Sequence, residues 1–154
     1  MNKKYTGGPE LTQFLLAMSG LAPCRILTLG TDNGQTVELL LEQGFFAEET
    51  GEILNCAYED GSFDAVIAEG VCYASGQEQE AWREARRLLK TGGMFLIADL
   101  CFTDTKGHVQ ALQDAGFQVL HVEDATALWL ESGCPEDLEG QGRCRYFLSI
   151  CEKH

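Results

Sequence analysis

Positive charge is scarce in this chain. Eleven Lys and Arg stand against 24 Asp and Glu, a formal net charge of −13 over 154 residues. Such a chain repels phosphate backbones and anionic lipid, which excludes a general nucleic-acid or membrane-surface role; any bound anion must be held by a local feature. Long apolar runs are missing too. No 18 consecutive apolar residues occur, and Met1-Asn2-Lys3-Lys4-Tyr5 runs into Gly7-Gly8-Pro9, so neither a membrane span nor an export signal is expected. The seven cysteines include no Cys-x-x-Cys pair. Their odd number and loose spacing point to reduced thiols in a cytoplasm and to no metal site. Cys72, Cys101 and Cys151 lie in apolar stretches and read as small core residues. A Gly-x-Gly-x-x-Gly turn followed by an acid about 20 positions later is also lacking, which excludes a dinucleotide oxidoreductase.

What is present suffices for one core. Hydrophobic residues make up 45% and charged residues 23%, a globular balance at the length of a single domain, here 1–154. Strand signals alternate with helix signals, the pattern of an α/β fold with a parallel sheet covered by helices on both faces. Leu11, Phe14, Leu15, Met18 and Leu21 recur at helical spacing, so residues 9–21 are predicted to be a helix within an N-terminal cap, 1–22. Arg25-Ile-Leu-Thr-Leu-Gly30 reads as a strand and residues 36–43 as a helix. Phe63-Asp-Ala-Val-Ile-Ala68 is a second strand. A helix over 77–90 follows, with Ala81, Ala85, Leu88 and Leu89 on its apolar face and Gly92-Gly93 as its stop. Strands are predicted over 94–98, 117–122 and 146–151, and a weaker helix over 103–115. Residues 133–142, rich in glycine and acids, read as a flexible loop.

The first strand ends Leu27-Thr-Leu-Gly-Thr-Asp-Asn-Gly34 and opens straight into a helix. Backbone N–H groups of the turn and helix N-terminus then face the carboxyl edge of the sheet, which makes an anion or nucleotide cradle. His108 and His121 are separated and unpaired and read as structural.

The block Glu59-Asp-Gly-Ser-Phe-Asp-Ala-Val-Ile-Ala-Glu-Gly-Val71, with Trp82-Arg-Glu-Ala-Arg-Arg-Leu-Leu-Lys-Thr-Gly-Gly-Met-Phe-Leu-Ile-Ala-Asp99, closely resembles the centre of class I S-adenosylmethionine-dependent methyltransferases. The resemblance reaches Thr6-Gly-Gly-Pro-Glu-Leu-Thr12 and covers most of residues 6–122. It is nearest to small-molecule enzymes of the methyltransferase type 11-like, ubiquinone- and arsenite-methylating kind. It implies S-adenosylmethionine as cofactor, held by Gly30, Thr31, Asp32, Gly34, Glu52, Ile53 and Glu69, and a small-molecule acceptor near Tyr73, Asp99 and Cys101. Methyl transfer from a sulfonium is an in-line displacement driven by positioning in a dry pocket, so no obligatory acid–base pair need be written in the sequence.

Two departures from the family stand out. Thr28 occupies the family's acidic position, and Asp32 replaces the middle glycine between Gly30 and Gly34, a degenerate glycine loop. Only residues 44–50 separate the first helix from Gly51-Glu52, whereas a βαβ unit needs roughly 30 residues. The expectation is therefore a truncated Rossmann-like open sheet of about five strands. Its order is 1-4-5-7-6 in family naming with the last strand antiparallel, and family strands 2 and 3 and their helix are missing. Glu48 and Glu49 read as solvated acids of a linker. Two functions follow. One is a small methyltransferase. The other is a catalytically inert relative acting as a binding or regulatory subunit, as a homodimer or with a partner across the truncated edge beside the first strand.

Overall fold

The computed structural model describes residues 9–30, 34–127 and 145–153. Helix α1 (Pro9–Ser19) leads into β1 (Arg25–Leu29), α2 (Gln35–Glu42), β2 (Phe46–Thr50) and β3 (Phe63–Glu69). Then come α3 (Glu78–Leu88), β4 (Leu89–Cys101), α4 (Thr105–Asp114), β5 (Phe117–Asp124) and β6 (Arg145–Lys153). The strands form one sheet in the order β2-β1-β3-β4-β6-β5. β1 is parallel to β2 and β3, β3 is parallel to β4, and β6 runs antiparallel to both neighbours.

The apolar runs explain the layering. Parallel strands covered on both faces read as continuous hydrophobic stretches, as in Ala65-Val-Ile-Ala68 and Phe95-Leu-Ile-Ala98, all 0–1% exposed. One face, with Ile26, Ile67, Leu96, Leu148 and Ile150, packs on Leu11 and Leu15 of α1 and Leu40 of α2. The other, with Leu27, Val66, Phe95 and Ile97, packs on Trp82, Ala85 and Leu88 of α3 and Leu112 of α4.

Six strands replace the expected five. β2 pairs with β1 along its whole length, from Arg25 with Phe46 to Leu29 with Thr50. The edge beside the first strand is therefore covered, and β2 is the edge instead. The short linker suffices because residues 51–62 return without a helix, near the lower limit of about a dozen residues for a parallel crossover. They cross the face of α3, burying Cys56 and packing Ile53, Leu54 and Tyr58 against it. Arg87 of α3 fixes this crossover. Its Nη1 donates to Tyr58 O at 2.9 Å and Asp60 Oδ1 at 2.7 Å, and its Nη2 donates to Cys56 O at 3.1 Å. Glu84, 9% exposed, accepts from Arg87 Nη2 at 2.6 Å and from the Cys56 N–H at 2.7 Å. Of the segment expected to be absent, β2 is present, and the crossover stands where a further helix and strand were expected to be lacking.

Gly92-Gly93 do not stop α3, which ends at Leu88 with Leu89 already extended at φ −81° and ψ 142°. They lie inside β4, where a Cβ on Gly93 would stand 2.8 Å from Lys90 O and 3.0 Å from Asp64 O. α4 starts at Thr105 because Asp104 caps it, its Oδ1 accepting from the Gly107 N–H at 2.8 Å. The loop expected over 133–142 lies outside the described residues.

Candidate functional site at the carboxyl edge of the sheet

In open α/β sheets the ends of the parallel strands form the ligand crevice. Here that edge collects Gly30, Gly34, Glu52, Glu69, Tyr73, Asp99 and Cys101; Thr31 and Asp32 lie outside the described residues. Gly30 has φ +91°, closed to most side chains, and its N–H donates to Thr50 O at 2.7 Å, tying β1 to β2. A Cβ there would lie 2.7 Å from Val71 Cγ1, so the turn after β3 sits directly against the turn after β1. Gly34, at φ +78°, precedes α2 with open space beside it.

Glu69 ends β3 and accepts the Thr12 hydroxyl at 2.7 Å, which anchors α1 over the edge. Glu52 is exposed after β2, its N–H donating to Thr50 Oγ1 at 3.2 Å, while Ile53 packs inward. The structure thus brings Gly30, Gly34 and Glu69 to one rim and leaves Glu52 on the crossover beyond β2.

Asp99 is 4% exposed, and its carboxyl is taken up by backbone. Oδ2 accepts from the Cys72 and Tyr73 N–H groups, both at 3.0 Å, and Oδ1 from the Leu100 N–H at 2.8 Å. Burial raises its pKa to about 6 against the lowering effect of those amides. The geometry makes it the peg that shapes the turn carrying Tyr73. Tyr73 is partly exposed, with its ring 5.5 Å from that of Phe102. Cys101 Sγ lies 3.2 Å from Thr103 Oγ1. Burial raises the Cys72 thiol well above its ordinary value, so it is a core thiol.

Three glutamates differ from the sequence reading or were passed over by it. Glu78, first in α3, is pushed up to about 7 by burial and then by the Asp99 charge; in sequence it looks like an ordinary first-turn acid. Glu48 and Glu49 belong to a strand, not to a linker. Glu48 is exposed and meets Arg25 at 3.2 Å and Tyr58 at 3.3 Å. Glu49 is half-buried, with its Oε2 shielded from solvent and without a hydrogen-bond partner among the described residues; the same holds for Thr28 Oγ1.

An open groove of about 560 Å³ lies at the opposite end of the strands beside Arg25, Phe46, Asp64 and Lys90. There Asp64 and Lys90 answer each other at 3.1 Å, and the strand ends that converge on a ligand in this fold class are absent.

Comparisons with known proteins bear on the fold. The chain resembles Burkholderia thailandensis 1,6-didemethyltoxoflavin-N1-methyltransferase, solved with 1,6-didemethyltoxoflavin and S-adenosylhomocysteine. That likeness has a TM-score of 0.68 and 14% identity, and covers 92% of this chain and 76% of that one. A chain from the Haloferax volcanii complex of the Trm112 methyltransferase activator and a methyltransferase gives a TM-score of 0.73 and 16% identity, covering 99% of this chain and 90% of that one. At these identities the likeness is one of fold. Among curated proteins, a hybrid PKS-NRPS synthetase of Hapsidospora irregularis, tasS, is 36% identical over 50 residues. The match spans 32% of this chain and 1% of that protein's length. Residues 25–148 match the model of a methyltransferase domain family, and the chain belongs to that family.

Proposed function

We propose that the chain is an S-adenosylmethionine-dependent methyltransferase acting on a small-molecule acceptor. The observation that carries this reading is the glycine turn from β1 into α2, set on the carboxyl edge beside two buried, unanswered polar atoms. Such atoms suit a ligand bearing hydrogen-bond donors. Gly30, Thr31, Asp32 and Gly34 would surround its amino-acid part, Glu52 and Ile53 would flank its nucleoside end, and Glu69 would close the rim. The cofactor, when bound, supplies a methyl group on a sulfonium.

The chain's own task is to orient and to exclude water. Asp99 holds the Cys72–Tyr73 turn, and Thr12 ties α1 to Glu69. Tyr73 and Phe102 offer an aromatic wall for an acceptor entering between β3 and β4, with Cys101 beyond it. Glu78, titrating near neutrality, is suited to exchange a proton with an acceptor amine or hydroxyl.

Unfolding with and without S-adenosylmethionine or S-adenosylhomocysteine tests the reading without knowledge of the acceptor. Ligand at about 100 times Kd adds roughly 2.7 kcal/mol, worth roughly 5–11 °C at this size. An unchanged midpoint overturns the reading. It would favour the second one, a partner subunit without turnover, which draws on the open edge of β2 and its Phe46, 74% exposed.

A further inference from the structure

Within the crossover one peptide is fastened from two sides. Thr50, the last residue of β2, accepts the Glu52 N–H through Oγ1 and donates the same hydroxyl to Glu52 O, both at 3.2 Å. From the other side Cys56 Sγ donates to Glu52 O at 2.8 Å. Thr50 is itself tied to the turn after β1, because its carbonyl accepts the Gly30 N–H. The place of Glu52 is thereby set relative to the glycine turn.

Cys56 is held in turn by α3. Its N–H goes to Glu84 and its carbonyl to Arg87, and Arg87 bonds the Glu84 carboxylate through Nε at 2.8 Å and Nη2 at 2.6 Å. Cys56 is 5% exposed. Burial, with the Glu84 charge beside it, pushes its thiol up to about 11, so near neutrality the sulfur keeps the hydrogen it donates. Packing on α3 anchors Ile53 and Leu54, but Glu52 is exposed, and its carboxylate makes no hydrogen bond or ion pair among the described residues. Ordering its backbone costs conformational entropy that this side chain does not repay in the ligand-free protein. A binding site does repay it, because groups ordered in advance need no ordering when a ligand arrives.

We infer that Cys56 is a positioning residue: its thiol, seated by Glu84 and Arg87, holds the Glu52–Ile53 peptide where the nucleoside end of the cofactor arrives. Cys56 acts through Glu52 and touches no ligand itself. The inference rests on the proposed function and adds to it a residue of the crossover that the glycine turn and the strand ends do not supply.

Calorimetric titration of the full chain tests this with S-adenosylhomocysteine and 5′-methylthioadenosine, which share the nucleoside and differ at the amino-acid end. Cys56→Ala is expected to weaken both alike, by about fivefold or more, and Cys56→Ser, which keeps a donor, to return both to within about twofold of wild type; fivefold corresponds to about 1 kcal/mol. Near-UV circular dichroism and the ligand-free unfolding midpoint check that each variant is folded. Unchanged affinities in folded Cys56→Ala overturn the inference, since the thiol then only fills space. A loss confined to S-adenosylhomocysteine overturns it too, by placing the effect on the amino-acid end, and a serine variant as weak as the alanine one does so by assigning the loss to packing. Should Cys56→Ala not fold, alkylation of the wild-type chain read by mass spectrometry decides. Saturating 5′-methylthioadenosine is expected to slow labelling of Cys56 more than that of the core thiol Cys151, and equal slowing overturns the inference. Wild-type protein binding neither ligand would overturn the proposed function and this inference together, whereas wild-type binding with indifferent Cys56 variants overturns this inference alone.

Discussion

His108 shows how one side chain sets a pH response. Its ring stacks on Phe147 at 4.8 Å, meets the Trp82 edge at 5.9 Å and lies 2.9 Å from the buried Ser149 hydroxyl through Nε2. Burial pulls its pKa down to about 4 from 6.5. The folded state therefore binds the proton less readily than the unfolded one, and the stability this group contributes above pH 6.5 is lost as pH falls toward 4. The loss is on the order of 3 kcal/mol. Asp99 and Glu78, raised to about 6 and about 7, act oppositely: their contribution is complete at low pH and fades as pH rises through those values. Urea unfolding between pH 4 and 7 should show a flatter acid limb in His108→Gln and a smaller decline toward neutrality in Glu78→Gln. Parallel curves for wild type and variants would refute the assignment. At this scale the sequence was partly legible. Gly30 and Gly34 stand where a strand-to-helix turn needs them, and Asp99 reaches the expected edge. Its use as a peg was not visible, since two of its three amide partners lie 26 and 27 residues away. Glu49 was misread because burial of one carboxylate oxygen depends on a strand pairing, not on local composition.

Among the elements, the crossover over 51–62 has the most to lose. It contains no regular structure, and most of its polar ties to α3 run through one cation. The Arg87 guanidinium bonds carboxylates on two sides and two backbone carbonyls. Arg87→Ala leaves Glu84 buried without its partner and is expected to cost roughly 2–4 kcal/mol. Hydrogen exchange should report the loss first at Cys56, whose N–H Glu84 accepts, while amides of β4 stay protected. Uniform acceleration everywhere would mean that the crossover is no separate unit. Most element boundaries were legible because apolar periodicity reports burial, and α1, α2, α3, α4 and the strands fall within a few residues of expectation. β2 was not. Phe-Ala-Glu-Glu-Thr carries two acids in five residues, and its strand character comes from backbone bonds to β1 rather than from its own side chains.

For the whole molecule, a charge of −13 is a standing repulsion within the folded chain. Raising ionic strength from about 0.01 to about 0.15 M shortens the screening length from about 30 to about 8 Å. The melting temperature should then rise by roughly 2–4 °C, equivalent to about 1 kcal/mol; calorimetry showing no rise would mean that the acids are already locally compensated. Strand order apart from β2 could be read in advance, since an antiparallel final strand between its two predecessors follows from the family resemblance. That same order has a consequence during synthesis. β6 follows β4 and β5 in the chain yet lies between them, so Phe117–Asp124 has no strand to join until Arg145–Lys153 has been made. At about 5–20 residues per second this seam stays open for roughly 1.5–6 s after Asp124 leaves the peptidyl-transfer centre. Through that interval the bare flank of β4, with Phe95, Leu96 and Ile97, is what a ribosome-bound chaperone would meet.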